Sequence, residues 1–156
     1  MAEFDKYLQT MIDQAGTEAR LDGARTVEAQ HLLLAIAAGP GQVLGSSGLD
    51  LSAIREALDR EFEHSHSAAG VSRSAFGLPA ASSDAHRALH LGASTRLAIE
   101  RAITSSSHRD LQPAHLLLGI LQAEVGTVPR ALALAGVDRA DLMARVLRTL
   151  DSRAKR

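Results

Sequence analysis

Apolar residues recur at steps of three and four along most of the chain, which is the spacing that lines one face of an α-helix. The first such stretch runs from Phe4 to Leu21. It is followed by Gly23, whose tolerance of positive φ suits a helix C-terminus. The pattern predicts a long amphipathic first helix. Its apolar positions are Phe4, Tyr7, Leu8, Met11, Ile12, Ala15 and Ala19.

A histidine followed by a run of apolar residues occurs twice in the chain. The two copies read His31-Leu32-Leu33-Leu34-Ala35-Ile36 and His115-Leu116-Leu117-Leu118-Gly119-Ile120. The flanks match too, since Arg25 and Val27 correspond to Arg109 and Leu111. With a short gap, the match extends over about fifty residues per copy, which indicates two copies of one structural unit.

Capping residues predict four helices in the first copy, with the third reduced to one turn at Val43 and Leu44. Thr26 is the predicted N-cap of the helix that carries the first histidine segment. Asp50 is the predicted N-cap of the fourth helix. The apolar face of that helix consists of Leu51, Ile54, Leu58 and Phe62.

The second copy repeats this order of elements. Ser83 or Asp84 is the predicted cap of its first helix, which runs to about Ser105. Pro113 suits the first turn of the next helix, where a missing N–H costs little. A short helix follows over 127–135, and Asp138 is the predicted cap of a last helix through 150.

These elements predict an all-α fold of about eight helices, in two repeats related by a pseudo-twofold axis and packed as one domain over 1–156. Repeat one covers 4–63, a linker rich in Ser, Ala, Gly and His covers 64–83, and repeat two covers 84–152. Each repeat alone would form a small core, so the two are expected to bury their leucine-rich second helices against one another.

The composition agrees with packed helices. Hydrophobic residues make up 46% of the 156 residues, but aromatic residues only 3%, which is low for a sheet. The net charge of −1 gives no bulk attraction for nucleic acid, and no apolar run approaches the roughly 20 residues that span a membrane. The absence of cysteine excludes a disulfide framework. We therefore expect a cytoplasmic protein with neither nucleic-acid nor membrane partners.

The sequence context of the candidate catalytic and metal-binding residues indicates structural roles for them. His31 and His115 each begin an apolar segment, as expected of packed, hydrogen-bonded core histidines. His86 and His90 lie four apart and, with His64 and His66, offer four imidazoles, but no metalloprotease-type Glu lies between them. The Ser-His pair at 107–108 lacks a strand-turn-helix elbow. We expect no metal, no cofactor and no enzymatic activity.

The doubled histidine-leucine segment with matched flanks resembles the N-terminal domain of the Clp unfoldases, especially the ClpC and ClpA type. The spacing from Phe4 to His31 fits this family, as do the ending Ala19-Arg20 before Gly23 and the positions of Gly126 and Gly136. The resemblance implies a module that docks substrates or adaptors ahead of an ATPase ring. No phosphate-binding loop of the Gly-x-x-x-x-Gly-Lys type occurs in this chain, and the start at Met1 favours a free-standing protein over a fragment.

One departure concerns phosphoarginine. In the ClpC type, a Glu before each repeated His and a hydroxyl residue after the opening aromatic resemble a cradle for phosphorylated arginine. The matching positions here are Gln30 and Ala114, with Asp5 and Leu89 for the hydroxyls. A guanidinium needs a carboxylate for a bidentate pair, so we predict weakened or lost binding of phosphoarginine. Calorimetry that finds millimolar or tighter binding would contradict this.

The resemblance leaves two hypotheses for function. The first is a module that binds a Clp unfoldase, an adaptor or a substrate protein, through apolar groups of the first helices. Phe4 and Tyr7 are its best candidate anchors, although both also suit the core. The second is a decoy that sequesters a small molecule or peptide directed against a Clp unfoldase.

Overall fold

The computed structural model describes residues 2–39, 44, 49–68, 89–105 and 111–155 of the chain. Seven α-helices and two short strands occur within these ranges, and the strands pair in parallel, so the predicted all-α class is confirmed. The one-turn helix predicted near Leu44 lies almost wholly outside the described residues. The elements are α1 (Ala2–Leu21), β1 (Thr26–Val27), α2 (Ala29–Ala38), α3 (Leu51–Ala68), β2 (His90–Leu91), α4 (Ala93–Thr104), α5 (Pro113–Leu121), α6 (Thr127–Leu134) and α7 (Arg139–Ala154).

Several predicted helix ends are confirmed by their local chemistry. The Oδ1 of Asp50 accepts a hydrogen bond from the N–H of Ala53 at 2.7 Å, which caps α3. Asp138 caps α7 in the same way through the N–H of Asp141 at 3.2 Å. Gly23 follows α1 at φ 71°, in the left-handed region that glycine tolerates best.

Other predicted boundaries are wrong. Thr26 does not cap α2, because it pairs with His90 in the two-stranded sheet and Glu28 precedes the helix. The strand His90–Leu91 also interrupts the helix predicted to run from Ser83 or Asp84 to Ser105, and the helix described there begins at Ala93. Ser83 and Asp84 lie outside the described residues. The linker was predicted to begin at 64, but α3 continues to Ala68 and therefore includes His64 and His66.

The two histidine-leucine segments occupy the centre of the core. Leu32, Leu116 and Leu117 are fully buried, and α2 contacts both α4 and α5 of the other repeat. Within each repeat, α1 packs on α2 and α4 packs on α5. Leu33, Leu34 and Leu118 are also buried.

A second contact between the repeats joins α3 to α6. The carboxylate of Glu61, only 5% exposed, lies 3.0 Å from Nε of Arg130 on α6 and also accepts from the hydroxyl of Ser65. A buried carboxylate needs such partners, since an uncompensated buried charge costs several kcal/mol, on the order of 3–5. This pair therefore holds the outer helices of the two repeats together.

The close packing of α4 on α5 explains the one difference between the repeated hexapeptides. A Cβ at Gly119 would overlap the carbonyl oxygen of Ala98 and lie 3.1 Å from the N of Ala102. The matching residue of repeat one, Ala35, is accommodated and buried on α2. Glycine at 119 therefore lets the two backbones approach in repeat two.

Candidate functional site

The N-termini of α2 and α5 are built alike around the repeated histidines. The Nδ1 of His31 accepts from the N–H of Glu28 at 3.0 Å, and the Nδ1 of His115 accepts from the N–H of Gln112 at 3.0 Å. A backbone donor on Nδ1 leaves the ring proton on Nε2, which in His31 faces Asp22 at 3.2 Å. The two imidazoles are 1% and 8% exposed. The predicted core, hydrogen-bonded role of both histidines is confirmed.

At the N-terminus of α2, polar side chains from both repeats form hydrogen bonds with one another. We call this set the Glu28 junction, which comprises Thr26, Glu28, Gly92 and Ser94. The carboxylate of Glu28 accepts from the hydroxyl of Thr26 at 2.8 Å and from that of Ser94. The same Ser94 Oγ accepts from the N–H of Ala29 at 2.8 Å. A Cβ at Gly92 would overlap the Glu28 carboxylate, so glycine leaves the space that this network needs.

At the N-terminus of α5, the corresponding place is a cavity of about 440 Å³, which we call the Tyr7 cavity. The Oη of Tyr7 and the Oε1 of Gln112 are buried there and make no hydrogen bond within the described residues. Gln112 and His115 form a capping box, in which the Gln112 side chain faces the N–H of His115 and the Nδ1 of His115 accepts from the N–H of Gln112. Burial raises the pKa of Tyr7 to about 12, so its hydroxyl stays a donor at neutral pH. The cavity is lined by Glu3, Phe4, Tyr7, Leu111, Gln112, Pro113 and Arg153.

A third feature is an apolar groove along α4, with a volume of about 360 Å³. Leu91, Ile99 and Ile103 supply its apolar surface. Arg96 and Glu100 add one charge of each sign. We call these five residues, together with Thr104, the α4 groove. This groove was not predicted, because the spacing of the apolar positions of α4 is equally typical of a core-facing helix. The step of four from Ile99 to Ile103 is its only signal in the sequence.

A smaller cavity of about 210 Å³ lies beside Gln30, between the end of α1, α2, α3 and Thr127. Its charged groups include Glu18 and Arg55, which form two hydrogen bonds of 2.9 and 2.6 Å. The hydrogen bond to Glu18 raises the pKa of Arg55. This lining is therefore already paired in large part.

The structure separates the predicted ligand-binding residues. Phe4 and Tyr7 share the Tyr7 cavity, with ring centroids 6.5 Å apart, but Phe4 is only 4% exposed and is not a surface anchor. Gln30 lines the other cavity, and Asp5 is exposed on α1.

The two remaining candidates pack inward. Ala114 is buried in the core, and Leu89 is half-buried against it. Aligning the buried pairs Met11/Ala15 and Ala98/Ala102 along the sequence matches Asp5 with Gly92 rather than with Leu89. Gly92 lies three residues after Leu89, and a binding role for Leu89 stays a prediction.

Neither a metal site nor a membrane span is found in the part of the chain that the structure describes. No group of three His, Cys, Asp or Glu side chains converges there, and His86 of the zinc hypothesis lies outside it. No described helix is both long and apolar enough to cross a bilayer.

Comparisons with known proteins agree on one fold. The family model "Clp repeat (R) N-terminal domain" matches residues 3–98. Among solved structures, the N-terminal domain of the caseinolytic protease associated chaperone ClpD from Arabidopsis thaliana is similar, with a TM-score of 0.62 and 24% identity over 91% of this chain and 90% of that one. No curated protein matches the chain significantly.

Proposed function

The chain belongs to the Clp repeat N-terminal domain family, and from this premise we propose that it is a non-catalytic module that docks a short segment of a partner protein. The partner class is a Clp unfoldase, an adaptor or a substrate protein. The α4 groove is the observation that carries this proposal. Exposed grooves with an apolar floor and charged flanks are typical of surfaces that bind peptides.

The chemistry of the α4 groove defines its occupant. Ile99 and Ile103 offer apolar contact for one or two side chains of a partner segment. Arg96 and Glu100 flank them, so an occupant with an acidic and a basic residue beside its apolar anchor complements both charges. Such an arrangement fixes the direction of a bound segment as well as its position.

Substitutions in the groove test the docking function. Ile103→Ser and Arg96→Glu are each expected to weaken binding of reduced, carboxymethylated α-lactalbumin, an unfolded model polypeptide, about tenfold. Leu97→Ser is the matched control, because Leu97 is 46% exposed on the same helix but does not line the groove. Fluorescence anisotropy measures each affinity. Equal binding by all variants, or none by the wild type, would contradict docking at this groove.

The size of the groove also supports the second hypothesis, a decoy for small molecules. Its 360 Å³ lies within the roughly 300–1,000 Å³ of small-molecule sites. A compound library screened by thermal shift separates the two functions. A compound that stabilises the wild type but not Ile103→Ser, together with no binding of unfolded polypeptide, favours sequestration. Lost phosphoarginine binding stays a prediction, to be tested by the same calorimetry.

A further inference from the structure

The last helix, α7, carries an apolar stripe beside its core-facing side. The core contacts of α7 come from Leu142, Val146 and Leu150, which follow at steps of four and are all buried. A second set of apolar residues has the spacing i, i+3, i+4 and i+7, which lines one flank of a helix. We call this set the α7 stripe, and it comprises Ala140, Met143, Ala144 and Leu147. Leu147 is 46% exposed, both alanines are exposed and Met143 is half-buried.

The duplication provides an internal reference for the α7 stripe. The helices α3 and α7 begin at matching caps, Asp50 and Asp138, each of which accepts from the N–H three residues later. Counted from these caps, the four stripe positions correspond to four exposed polar residues of α3. They are Ser52, Arg55, Glu56 and Asp59. The same flank is therefore a solvated helix face in repeat one but an apolar face in repeat two, which is typical of a surface that another molecule covers.

We propose that the α7 stripe is the contact between two copies of this chain, which pack α7 against α7 in an antiparallel pair about a twofold axis. A twofold contact requires a surface that is complementary to itself. The midpoint of the stripe lies between Met143 and Ala144. An antiparallel pair centred there sets the small Ala140 against the large Leu147 of the second copy, at both ends of the contact. The small alanine side chains let the two helices approach closely.

Charges at the edge of the stripe favour the same arrangement. Asp141 and Arg148 each follow a stripe residue and are exposed. In the antiparallel pair, each Asp141 lies within two residues of the position facing Arg148 of the second copy, or about 3 Å along the axis, so two reciprocal ion pairs can form. Asp141 already contacts Nε of Arg145 on its own helix at 3.1 Å, and its side chain remains 52% exposed.

The length of the stripe sets the expected strength of the dimer. Its eight residues span about 12 Å of helix, so the contact buries less than the roughly 1,200–2,000 Å² of stable interfaces. We therefore expect a weak dimer that forms at high micromolar concentration. The contact lies on α7 and not on α4, so it is independent of the docking proposed for the α4 groove.

Sedimentation equilibrium of the intact chain, from low micromolar to millimolar concentration, tests the contact. Leu147→Asp and Ala144→Glu introduce the residue types that repeat one has at the matching positions. Each is expected to weaken the dimer about tenfold, because it places a charge in the apolar contact. Leu97→Asp is the matched control, since Leu97 is also 46% exposed but lies on α4, and it should leave the dissociation constant unchanged.

An exchange of charges identifies the second copy as the occupant. Asp141→Arg and Arg148→Asp should each weaken self-association, because each variant places like charges at both ends of its contact. An equimolar mixture of the two variants should recover the dimer, since both ion pairs then form between unlike chains. Only a contact between copies of this chain gives that recovery.

Each outcome decides for or against the proposal. Melting temperatures confirm that the variants are folded, and the substituted side chains of Ala144, Leu147, Asp141 and Arg148 are all exposed. A monomer at every concentration would overturn the contact, as would a dimer that both stripe variants leave unchanged. A mixture that stays monomeric would overturn the antiparallel arrangement. None of these results bears on binding of unfolded polypeptide at the α4 groove.

Discussion

The Glu28 junction and the Tyr7 cavity occupy corresponding places in the two repeats but differ in how they satisfy polar groups. Both lie beside a helix N-terminus capped by a repeated histidine at 3.0 Å. At the first, a carboxylate, two hydroxyls and a backbone N–H close a network between the repeats. At the second, a tyrosine and a glutamine face a cavity. The histidine caps are therefore the same in both repeats, but the surrounding groups differ. They form a closed hydrogen-bond network at the Glu28 junction and line a cavity at the Tyr7 position.

The largest effect is expected where the second helices of the repeats differ. Gly119→Ala should lower the free energy of unfolding by about 3 kcal/mol, because the new Cβ overlaps the Ala98 carbonyl and outweighs the gain in helix propensity. The reverse change in repeat one, Ala35→Gly, should cost only about 1–2 kcal/mol through propensity and a lost methyl. Urea denaturation of both variants measures the difference. A smaller loss for Gly119→Ala than for Ala35→Gly would refute the close approach of α4 and α5.

A pair of hydroxyl deletions compares the two places directly. Ser94→Ala should destabilise the fold by about 2 kcal/mol, since it leaves the Ala29 N–H and one Glu28 oxygen without that partner. Tyr7→Phe should leave stability unchanged or raise it by up to about 1 kcal/mol, because its hydroxyl has no hydrogen-bond partner among the described residues. Thermal denaturation of both variants reads this out. The contrast fails if Tyr7→Phe costs as much as Ser94→Ala.

A substitution of Gly92 tests whether the hydrogen-bond network of the Glu28 junction needs the space that glycine leaves there. Gly92→Ala should cost about 1 kcal/mol, because its Cβ displaces the flexible Glu28 carboxylate while the backbone, at φ −74°, accepts alanine. Asp5→Ala at the matching position of α1 should stay within about 0.5 kcal/mol, since Asp5 is exposed. Urea denaturation provides the measurement. Equal costs at the two positions would show that the network does not depend on this space.

The smallest effect concerns pH at the Tyr7 cavity. The pKa of Tyr7 is raised from 10.0 to about 12, so the unfolded chain loses the phenolic proton first. Its contribution to stability is therefore complete below pH 10 and is lost as pH rises towards 12. Tyr7 is the single tyrosine of the chain, so phenolate absorbance reports it directly. We expect a midpoint near 12 in the folded protein; a midpoint near 10 would show that the hydroxyl reaches water.

The sequence predicted most of the fold because its signals are local. The spacing of apolar residues located the helices, and the side chains of Asp50 and Asp138 marked two starts that the structure confirms. The parallel pairing of Thr26 with His90 was not foreseen, because two-residue strands carry no periodicity and join distant parts of the chain. That pairing accounts for the error at Thr26.

The candidate site was less predictable for the same reason. Phe4 and Tyr7 were correctly singled out as neighbours on one helix face, yet their cavity is completed by Gln112 and Pro113 of the other repeat. Unused hydrogen-bonding capacity depends on which groups meet in three dimensions, and no spacing rule reports it. Gln30 and Ala114 were chosen by matching positions in a family pattern, which does not determine which cavity a side chain faces.

The overlap that excludes a side chain at Gly119 also has a kinetic consequence. Two helices whose backbones nearly touch have little room to slide or rotate against each other, so α4 is fixed along the face that packs on α5. A partner that binds at Ile99 and Ile103 therefore contacts a surface that does not need to rearrange. Stopped-flow association should then rise linearly with partner concentration in a single phase, without the plateau that a slow rearrangement imposes.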